Sequence, residues 1–395
     1  MARKLTDGIL QGFLDYTEET EIPDIFSFWV GVSSVSAALG RDCFLDMGHF
    51  SIYPNMYIVL VAGSAVCRKS SAISVASKLI AKIEPKVHML SQKMTPEAMI
   101  GSLSGLDVKD ENMLINEASG IFVVDELSTL IDKNAFQSGM IPLLTKLYDC
   151  EDFDYATKSR GVELIKNPCL SILGGSTLCW IKGSVPTVAI GGGFTSRVVF
   201  VYKESNSKLK PFPIMTKENK DRWDDISRDL SVISRNMRGG FAMKEDAKER
   251  LSSEYMAFMG HSELLTNPHL SGYAGRRQTT LLKLCMIISA SRSDSRLIDL
   301  EDVRVGTRMM REAEINMPKI LQAISSEFVG DICEEVLNVI LHRKVVPRSE
   351  LVKLTKHRLT VRQLDVIVET LVEEGVVRID RDGSKLSYIF CGGQE

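Results

Sequence analysis

Residues 57–76 read YIVLVAGSAVCRKSSAISVA and decide the fold. Tyr57 to Ala62 is a continuous apolar run, typical of a strand buried on both faces of a parallel sheet. Gly63 to Ser70 fits the pattern G-x-x-x-x-G-K-[ST], except that Arg68 stands in place of the second glycine. Ser71 to Ala81 then predicts a helix. The order of strand, loop and helix is the one that this phosphate-binding pattern requires.

The loop has the residue types that hold a nucleotide. Backbone N–H groups and a helix N-terminus can surround anionic oxygens, Lys69 can reach the β- and γ-phosphates, and Ser70 can ligate Mg²⁺. We therefore expect ATP and Mg²⁺ to bind at Gly63, Ser64, Ala65, Val66, Cys67, Arg68, Lys69, Ser70 and Ser71. An ordinary turn with a solvated Arg-Lys pair is the alternative. Arg68 leaves the loop geometry open, because glycine permits backbone dihedrals that other residues avoid.

Composition indicates a soluble globular protein of several structural units. The 395 residues are 44% hydrophobic and 25% charged, with a formal net charge of −3, so any contact with nucleic acid must come from local basic patches. The eight cysteines are scattered and form no C-x-x-C pair, which predicts reduced thiols in a cytoplasmic protein rather than a zinc site. We expect no membrane association, because no apolar run approaches the length of a membrane span.

A second motif follows the loop along the chain. Gly120 to Val124 predicts an apolar strand, and Asp125 and Glu126 come directly after it. We expect this strand to neighbour the loop-bearing strand, which would let Asp125 hold Mg²⁺ and Glu126 polarise the attacking water. A strand that ends in Asp-Glu is common, but it becomes informative after a phosphate-binding loop.

A third buried strand, Cys169 to Thr177, ends in small polar residues. In P-loop ATPases a side chain at this position, called sensor 1, bonds the γ-phosphate or the attacking water. Thr177 is the first candidate for this catalytic role and Ser176 is the second. The alternative is a hydroxyl that only caps the following helix.

Two arginine motifs are candidates for contact with phosphates. The glycine-rich turn Gly191 to Arg197 precedes an apolar strand and can present Arg197 to a phosphate at a subunit boundary, as an arginine finger. An ion pair with a surface carboxylate is the alternative for Arg197. Arg276 and Arg277 begin an amphipathic helix and could close onto bound nucleotide, a role called sensor 2.

A hairpin is expected over Phe153 to Ile165, between the Asp-Glu strand and the polar strand end. Its tip carries Lys158 and Arg160, and Gly161 supplies freedom for the turn. A hairpin in this position resembles the one that MCM-type ring helicases project into their central pore, and the resemblance implies that these charges, repeated around a ring, could grip the phosphates of single-stranded DNA. The alternative is a solvated charge pair on a surface hairpin.

The order of elements predicts an α/β fold with four parts. These are a helical N-terminal segment (1–45), a P-loop ATPase core (46–205), a helical lid (206–325) and a C-terminal winged helix (326–395). The winged helix is expected because three helical stretches precede two strands joined through Arg381 to Ser384. Its third helix carries several carboxylates, which favours docking to a partner over reading of DNA sequence.

With these motifs in order, the chain resembles a family of phage and mobile-element P-loop ATPases of the primase-helicase-like type. The stretches YPNMYIVLVAG, RKSSA, NPCLSILGGST and GGFTSR carry the resemblance, over about residues 25–310. The motif order and the terminal winged helix are more distantly similar to the MCM-type AAA+ hexameric helicases.

The resemblance implies an AAA+-like core that hydrolyses ATP at the subunit interfaces of a homo-oligomeric ring, a hexamer. Such a ring would move on single-stranded or forked DNA during phage or plasmid replication, in the bacterial cytoplasm and together with other replication proteins. Two alternatives stay open. The chain could load or remodel another replication protein, or it could be a DNA-binding regulator that uses nucleotide only as a switch.

Overall fold

The computed structural model describes residues 2–104, 118–132, 134–157, 161–184, 193–266, 270–320, 336–355, 361–373, 375–382 and 385–391. The chain forms two compact units, residues 1–322 and residues 323–395. Within the described ranges, no helix is long and apolar enough to cross a membrane.

Both units contain strands and helices, numbered here in chain order; β12–β14, α12 and α13 belong to the second unit. The strands are β1 (Cys43–Asp46), β2 (Ser51–Ile52), β3 (Tyr57–Val61), β4 (Met89–Leu90), β5 (Ser119–Val124), β6 (Phe153–Thr157), β7 (Gly161–Ile165), β8 (Cys169–Ser176), β9 (Val198–Tyr202), β10 (Gly239–Met243), β11 (Leu297–Ile298), β12 (Val345–Pro347), β13 (Val377–Asp382) and β14 (Lys385–Phe390). The helices are α1 (Ile9–Thr17), α2 (Asp24–Leu39), α3 (Lys69–Ile80), α4 (Pro96–Ser104), α5 (Met140–Tyr148), α6 (Leu178–Ser184), α7 (Lys217–Asn236), α8 (Glu245–His261), α9 (Glu263–Thr266), α10 (Ser271–Arg292), α11 (Leu300–Glu314), α12 (Arg348–Thr355) and α13 (Val361–Glu373).

A parallel five-stranded sheet lies at the centre of the first unit. Its strands follow the order β4-β5-β8-β3-β9, and every neighbouring pair is parallel. All five residues of β3 are buried, as its unbroken apolar run predicts. Because the strands are parallel, the carboxyl ends of β3, β5 and β8 meet at one edge, which we call the carboxyl edge. The α/β class expected from the sequence is confirmed.

The strand order corrects one expectation. The Asp-Glu strand β5 pairs with β4 and β8, and β8 separates it from the loop-bearing strand β3. The two strands are therefore not neighbours, although Asp125 and the loop still lie at the same edge. After β3 the chain runs to one side of it, through β4, β5 and β8, and only then crosses to form β9 on the other side. β3 thus lies where the strand order reverses, and ligands of open α/β sheets bind at such a position.

A second sheet joins the two ends of the first unit. Its strand order is β11-β10-β1-β2, with β1 parallel to β10 and antiparallel to β2. The segment expected as a helical lid thus contributes β10 and β11, and β1 and β2 lie just before the loop-bearing strand. The three parts expected over residues 1–325 form one compact unit that ends at residue 322.

Helix α2 explains how the N-terminal segment joins the core. Every residue of α2 except Asp24 and Ala37 is buried, so the helix is enclosed on nearly all sides. It packs against α1, α3, α7 and β8. Its Ser36 hydroxyl donates to the carbonyl oxygen of Pro54 at 2.7 Å and lies 3.0 Å from the Ser171 hydroxyl of β8. The N-terminal helices therefore belong to the core of the first unit.

The second unit has its own apolar core. Residues 336–343 are helical, and β12, α12, α13, β13 and β14 follow in that order. The strands form an antiparallel sheet in the order β12-β14-β13. Buried residues of all these elements form the core: Val336, Ile340, Val346, Leu351, Leu364, Ile367, Val368, Leu371, Val377 and Tyr388. As the sequence predicts, three helical stretches precede the strand pair β13–β14, and the additional strand β12 lies between the first two of them.

Candidate nucleotide site at the carboxyl edge

The loop after β3 leaves its backbone donors free. Arg68 has φ 49° and ψ 35°, and Ala65 has φ 58°, so both take the left-handed conformation. The backbone N–H groups of Ser64, Ala65, Cys67 and Arg68 donate to no acceptor within the described residues. Successive N–H groups in such a turn form a concave site for anions, and here the N-terminus of α3 extends it. An arginine at the second glycine position is therefore compatible with the loop.

The Arg68 side chain points away from this concave site. Its Nε donates to Glu21 Oε2 at 2.7 Å, and Glu21 also accepts the backbone N–H of Lys210 at 3.3 Å. The hydrogen bond from Arg68 lowers the pKa of Glu21. The structure thus gives Arg68 a contact with the α1–α2 connection, and the part of Arg68 that faces the anion site is its backbone.

Lys69 is held at the end of β3. Its side chain is 6% exposed, and Nζ donates to the carbonyl oxygens of Ala62 at 2.8 Å and Gly63 at 3.3 Å. Burial lowers the pKa of Lys69, and the nearby Glu126 carboxylate acts in the opposite direction. Lys69 and Glu126 both lie at the carboxyl edge, Lys69 after β3 and Glu126 after β5.

Asp125 and Glu126 are exposed at the same edge, directly after β5. The register aligns Val124 with Gly174, which places Asp125 beside Gly175 of β8. A Cβ atom on Gly175 would lie 2.4 Å from the carbonyl oxygen of Asp125 and 2.9 Å from Ile73 Cδ1. Only glycine fits there without a shift of the backbone that carries Asp125. Sequence reasoning missed this role, although the Gly-Gly pair inside a buried strand was a visible signal.

We expect Gly175→Ala to lower the free energy of unfolding by about 1–3 kcal/mol, because the added methyl group overlaps the Asp125 backbone. Denaturant unfolding measures this loss. The matched control is Gly275→Ala in α10, where a Cβ atom meets nothing within 4 Å. The control should be neutral or slightly stabilising, since alanine favours helix over glycine. Equal stability of the Gly175→Ala protein and the parent would show that this close approach does not position Asp125.

Thr177 follows β8 at the same edge and starts α6. Its Oγ1 accepts the backbone N–H of Trp180 at 3.1 Å, which is the helix-capping contact considered as the alternative. The hydroxyl proton stays available for a second acceptor. Ser176, the second candidate, is fully buried, and its hydroxyl donates to the Thr177 carbonyl oxygen at 3.3 Å. Of the two hydroxyls, only that of Thr177 is placed to reach a ligand.

Arg197 lies at the opposite end of the sheet. The register pairs Tyr57 with Val198, so Arg197 stands beside the start of β3, at the amino edge. β3 has five residues, and at about 3.3 Å per residue the two edges are roughly 17 Å apart. The Arg197 side chain is 6% exposed and pairs with Asp149, with Arg197 NH2 2.6 Å from Asp149 Oδ2. An ion pair was the alternative expectation, and this guanidinium cannot reach the loop of its own chain.

The two lid arginines are also distant from the loop. Arg276 NH1 lies 3.4 Å from Asp149 Oδ1, at the amino edge. Arg277 is 3% exposed and donates from Nε to Glu314 Oε1 at 2.6 Å, inside the packing of α10 and α11. Both arginines thus pair with carboxylates of their own chain, and their expected contact with nucleotide stays a prediction.

The expected DNA-gripping hairpin is formed by β6 and β7, which pair antiparallel from Phe153↔Ile165 to Thr157↔Gly161. Gly161 has φ 75°, consistent with a tight turn. Lys158 and Arg160 lie outside the residues that the structure describes.

The carboxyl edge combines free backbone donors, one ammonium group, two carboxylates and one hydroxyl. Within the described residues, no group of three or more His, Cys, Asp or Glu side chains could hold a metal ion. Mg²⁺ in nucleotide sites needs no such group, because phosphates and water supply most of its ligands. Ser70 and Asp125, both exposed at this edge, fit the remaining positions. No protein-family model matches the chain, and no curated protein matches it.

Proposed function

We propose that the protein hydrolyses Mg·ATP at the carboxyl edge and uses the energy as a ring-forming DNA helicase or translocase. One observation carries the proposal. The free N–H groups of the loop after β3, the Asp125-Glu126 pair and Thr177 converge on one edge, where the strand order reverses. That combination can bind phosphates, hold a hydrated cation and orient water, which is what phosphoryl transfer requires of a protein.

Each residue of the proposed site has a separate role in the reaction. The loop N–H groups and the N-terminus of α3 bind phosphate oxygens, and Lys69 exchanges the Ala62 and Gly63 carbonyl oxygens for the β- and γ-phosphates. Ser70 and Asp125 would hold Mg²⁺, which neutralises charge on the phosphates. Glu126 orients and polarises the attacking water. Thr177 donates its free hydroxyl proton to the water or to a γ-phosphate oxygen.

The position of Arg197 supports a ring. Because it lies at the amino edge of its own sheet, any nucleotide phosphate that it contacts belongs to another copy of the chain. A contact between the carboxyl edge of one copy and the amino edge of the next is head-to-tail, and such contacts close into rings when the rotation permits. Arg197 would then act as an arginine finger between subunits. A hexamer is the ring size that the resemblance to MCM-type helicases implies.

Action on DNA rests on the resemblance to phage and mobile-element replication ATPases. The test is strand displacement on a forked DNA with ATP and the purified chain alone. Unwinding without added partners supports a helicase. ATP hydrolysis stimulated by single-stranded DNA, with no unwinding, would point to a loader or remodeller instead.

We expect the double substitution Lys158→Ala with Arg160→Ala to weaken binding of single-stranded DNA and to flatten its salt dependence, because fewer counterions are released. Basal ATP hydrolysis should not change. Titration of labelled single-stranded DNA at several salt concentrations measures both effects. The matched control is Arg378→Ala with Arg381→Ala, which removes two exposed arginines from β13 in the second unit. If the hairpin variant binds single-stranded DNA with the affinity of the parent, Lys158 and Arg160 do not form the DNA-binding surface.

The second unit supports a second candidate function, docking to another replication protein. Its order of helices and strands fits a winged helix. Arg348 of α12 makes a bidentate pair with Asp365 of α13, with NH2 at 2.9 and 2.8 Å from the two carboxylate oxygens. Glu369 and Glu373 are exposed on the same helix. A phosphate backbone would be repelled by this helix, whereas a basic protein surface would not.

A further inference from the structure

Two arginines hold one carboxylate at the amino edge. Arg197 donates to Asp149 from Nε at 3.3 Å and from NH2 at 2.6 Å, and Arg276 NH1 lies 3.4 Å from the same carboxylate. The remaining terminal nitrogen of Arg197, NH1, donates to the Gly193 carbonyl oxygen at 2.8 Å. A planar guanidinium fork fits a carboxylate and a phosphate equally well. The two arginines therefore form a clamp whose chemistry suits any oxyanion.

The clamp has more positive charge than its carboxylate neutralises. Lys283 is a further cation in this region, with 4% exposure, and its Nζ donates to Asn55 Oδ1 at 2.7 Å and lies 3.8 Å from the centroid of the Tyr148 ring. Tyr148 also packs against the Arg197 guanidinium, at 5.8 Å. Within the described residues, Lys283 has no ion pair with a carboxylate. The amino edge thus places two guanidinium groups on one carboxylate, and the Lys283 ammonium contacts the same tyrosine ring as Arg197.

The position of Asp149 is unfavourable without the clamp. Asp149 caps the C-terminus of α5, and its own backbone N–H bonds to Lys146 and Leu147 carbonyl oxygens. The C-terminal end of a helix has a partial negative charge, which disfavours a carboxylate there. The side chains of Asp149 and Arg276 are 34% and 39% exposed, so solvent reaches the open side of the clamp. An incoming anion has access to the same arginines from this open side.

From this geometry we infer that Asp149 is an internal, exchangeable ligand of an oxyanion site formed by Arg197 and Arg276. A phosphate group displaces Asp149 from the clamp. The inference rests on the proposed function for the source of that phosphate, the nucleotide bound to a neighbouring copy. Free inorganic phosphate has the same chemistry, and the experiment separates the two sources.

A second ion pair in the same unit shows what a closed pair looks like. Arg277 and Glu314 are 3% and 8% exposed, Tyr273 also donates to Glu314 at 3.0 Å, and the Phe258 ring covers the Arg277 guanidinium at 4.4 Å. That pair is enclosed by side chains, whereas the clamp is open on one side. Removal of Glu314 leaves an arginine without its carboxylate but gives phosphate no direct access to it.

The first test measures thermal stability of the full chain in phosphate and in chloride of equal ionic strength. Asp149→Ala should melt lower than the parent in chloride and gain a larger rise in Tm with phosphate than the parent does, because phosphate takes the vacated place. The rise in Tm of the parent protein is the control for phosphate that binds the loop after β3. Asp149→Ala with Arg197→Ala should lose the extra rise. Two results would contradict the exchangeable site. One is a rise in Tm for Glu314→Ala as large as that for Asp149→Ala, and the other is a rise for Asp149→Ala no larger than that of the parent.

The second test asks where the phosphate comes from. Asp149→Asn removes the competing charge, so the apparent KM for ATP should fall by at least about threefold without loss of kcat. Arg197→Ala added to Asp149→Asn should abolish the fall, and Asp149→Glu should restore parental KM. If Asp149 had a purely structural role, Asp149→Asn would not change KM, or it would reduce kcat. If Tm responds to phosphate but KM does not respond to Asp149→Asn, free phosphate is the ligand, and the nucleotide-sensing part of the inference is wrong.

Discussion

Glu126→Gln should bind ATP with near-parental affinity but hydrolyse it about 10²–10⁴ times more slowly, the range expected when a general base is removed. The residue is exposed at the carboxyl edge, where its carboxylate influences Lys69. Glutamine keeps the size of the side chain and loses the charge that polarises water. Phosphate release at steady state measures the rate, and equilibrium titration with ATP measures the affinity.

A matched carboxylate on the surface serves as the control for this variant. Glu151 is 71% exposed, and within the described part of the chain its one ion pair is with Lys146, at 2.9 Å. Glu151→Gln should change neither rate nor affinity, because surface pairs of this kind contribute little. Parental turnover in Glu126→Gln would remove the residue from the reaction, and weaker ATP binding at parental turnover would assign it to binding instead.

Arg197→Ala should lower the ATPase rate by about 10³–10⁵, the effect of losing an arginine finger. A mixture of Arg197→Ala and Glu126→Gln proteins should regain part of the activity when subunits exchange. In a mixed ring, some sites combine the intact Glu126 of one subunit with the intact Arg197 of its neighbour. Rates measured across mixing ratios, with each variant alone as reference, report this complementation.

The Arg197 result needs a control for the ion pair that the substitution breaks. Arg197→Lys keeps a positive charge beside Asp149 but cannot supply the guanidinium fork, so it should fold and remain slow. Arg304→Ala removes an exposed arginine that pairs loosely with Glu301, at 3.8 Å, and should keep the parental rate. Full hydrolysis by a protein that stays monomeric with ATP and DNA would rule out action between subunits.

Local sequence patterns predicted those features of the fold that depend on residues close together in the chain. The apolar run of β3, the N-cap Asp299 of α11 and the alternating arms of β6 and β7 are set by neighbours in the chain. Asp299 accepts the backbone N–H groups of Glu301 and Asp302, a contact between neighbours in the chain. Such features depend on backbone sterics and capping more than on distant contacts.

The remaining features depend on contacts between distant parts of the chain. No local pattern indicates that β8 lies between β3 and β5, or that β10 pairs with β1 across almost two hundred residues. Asp149 ends an ordinary helix and belongs to no motif, so its partnership with Arg197 and Arg276 emerges only from the fold. Arg68 was the one irregularity visible in the sequence. Its left-handed backbone and its bond to Glu21 show how the loop accepts a residue other than glycine.

The most direct test of the nucleotide site compares ATP hydrolysis by the full-length protein and by Lys69→Met, with and without Mg²⁺ and single-stranded DNA. Methionine keeps the apolar stem of the buried side chain and removes the ammonium group. We expect the parent to hydrolyse ATP only with Mg²⁺, faster with DNA, and Lys69→Met to show neither tight ATP binding nor turnover. Equal hydrolysis by both proteins, or none by the parent with any DNA, would contradict a nucleotide site at the carboxyl edge.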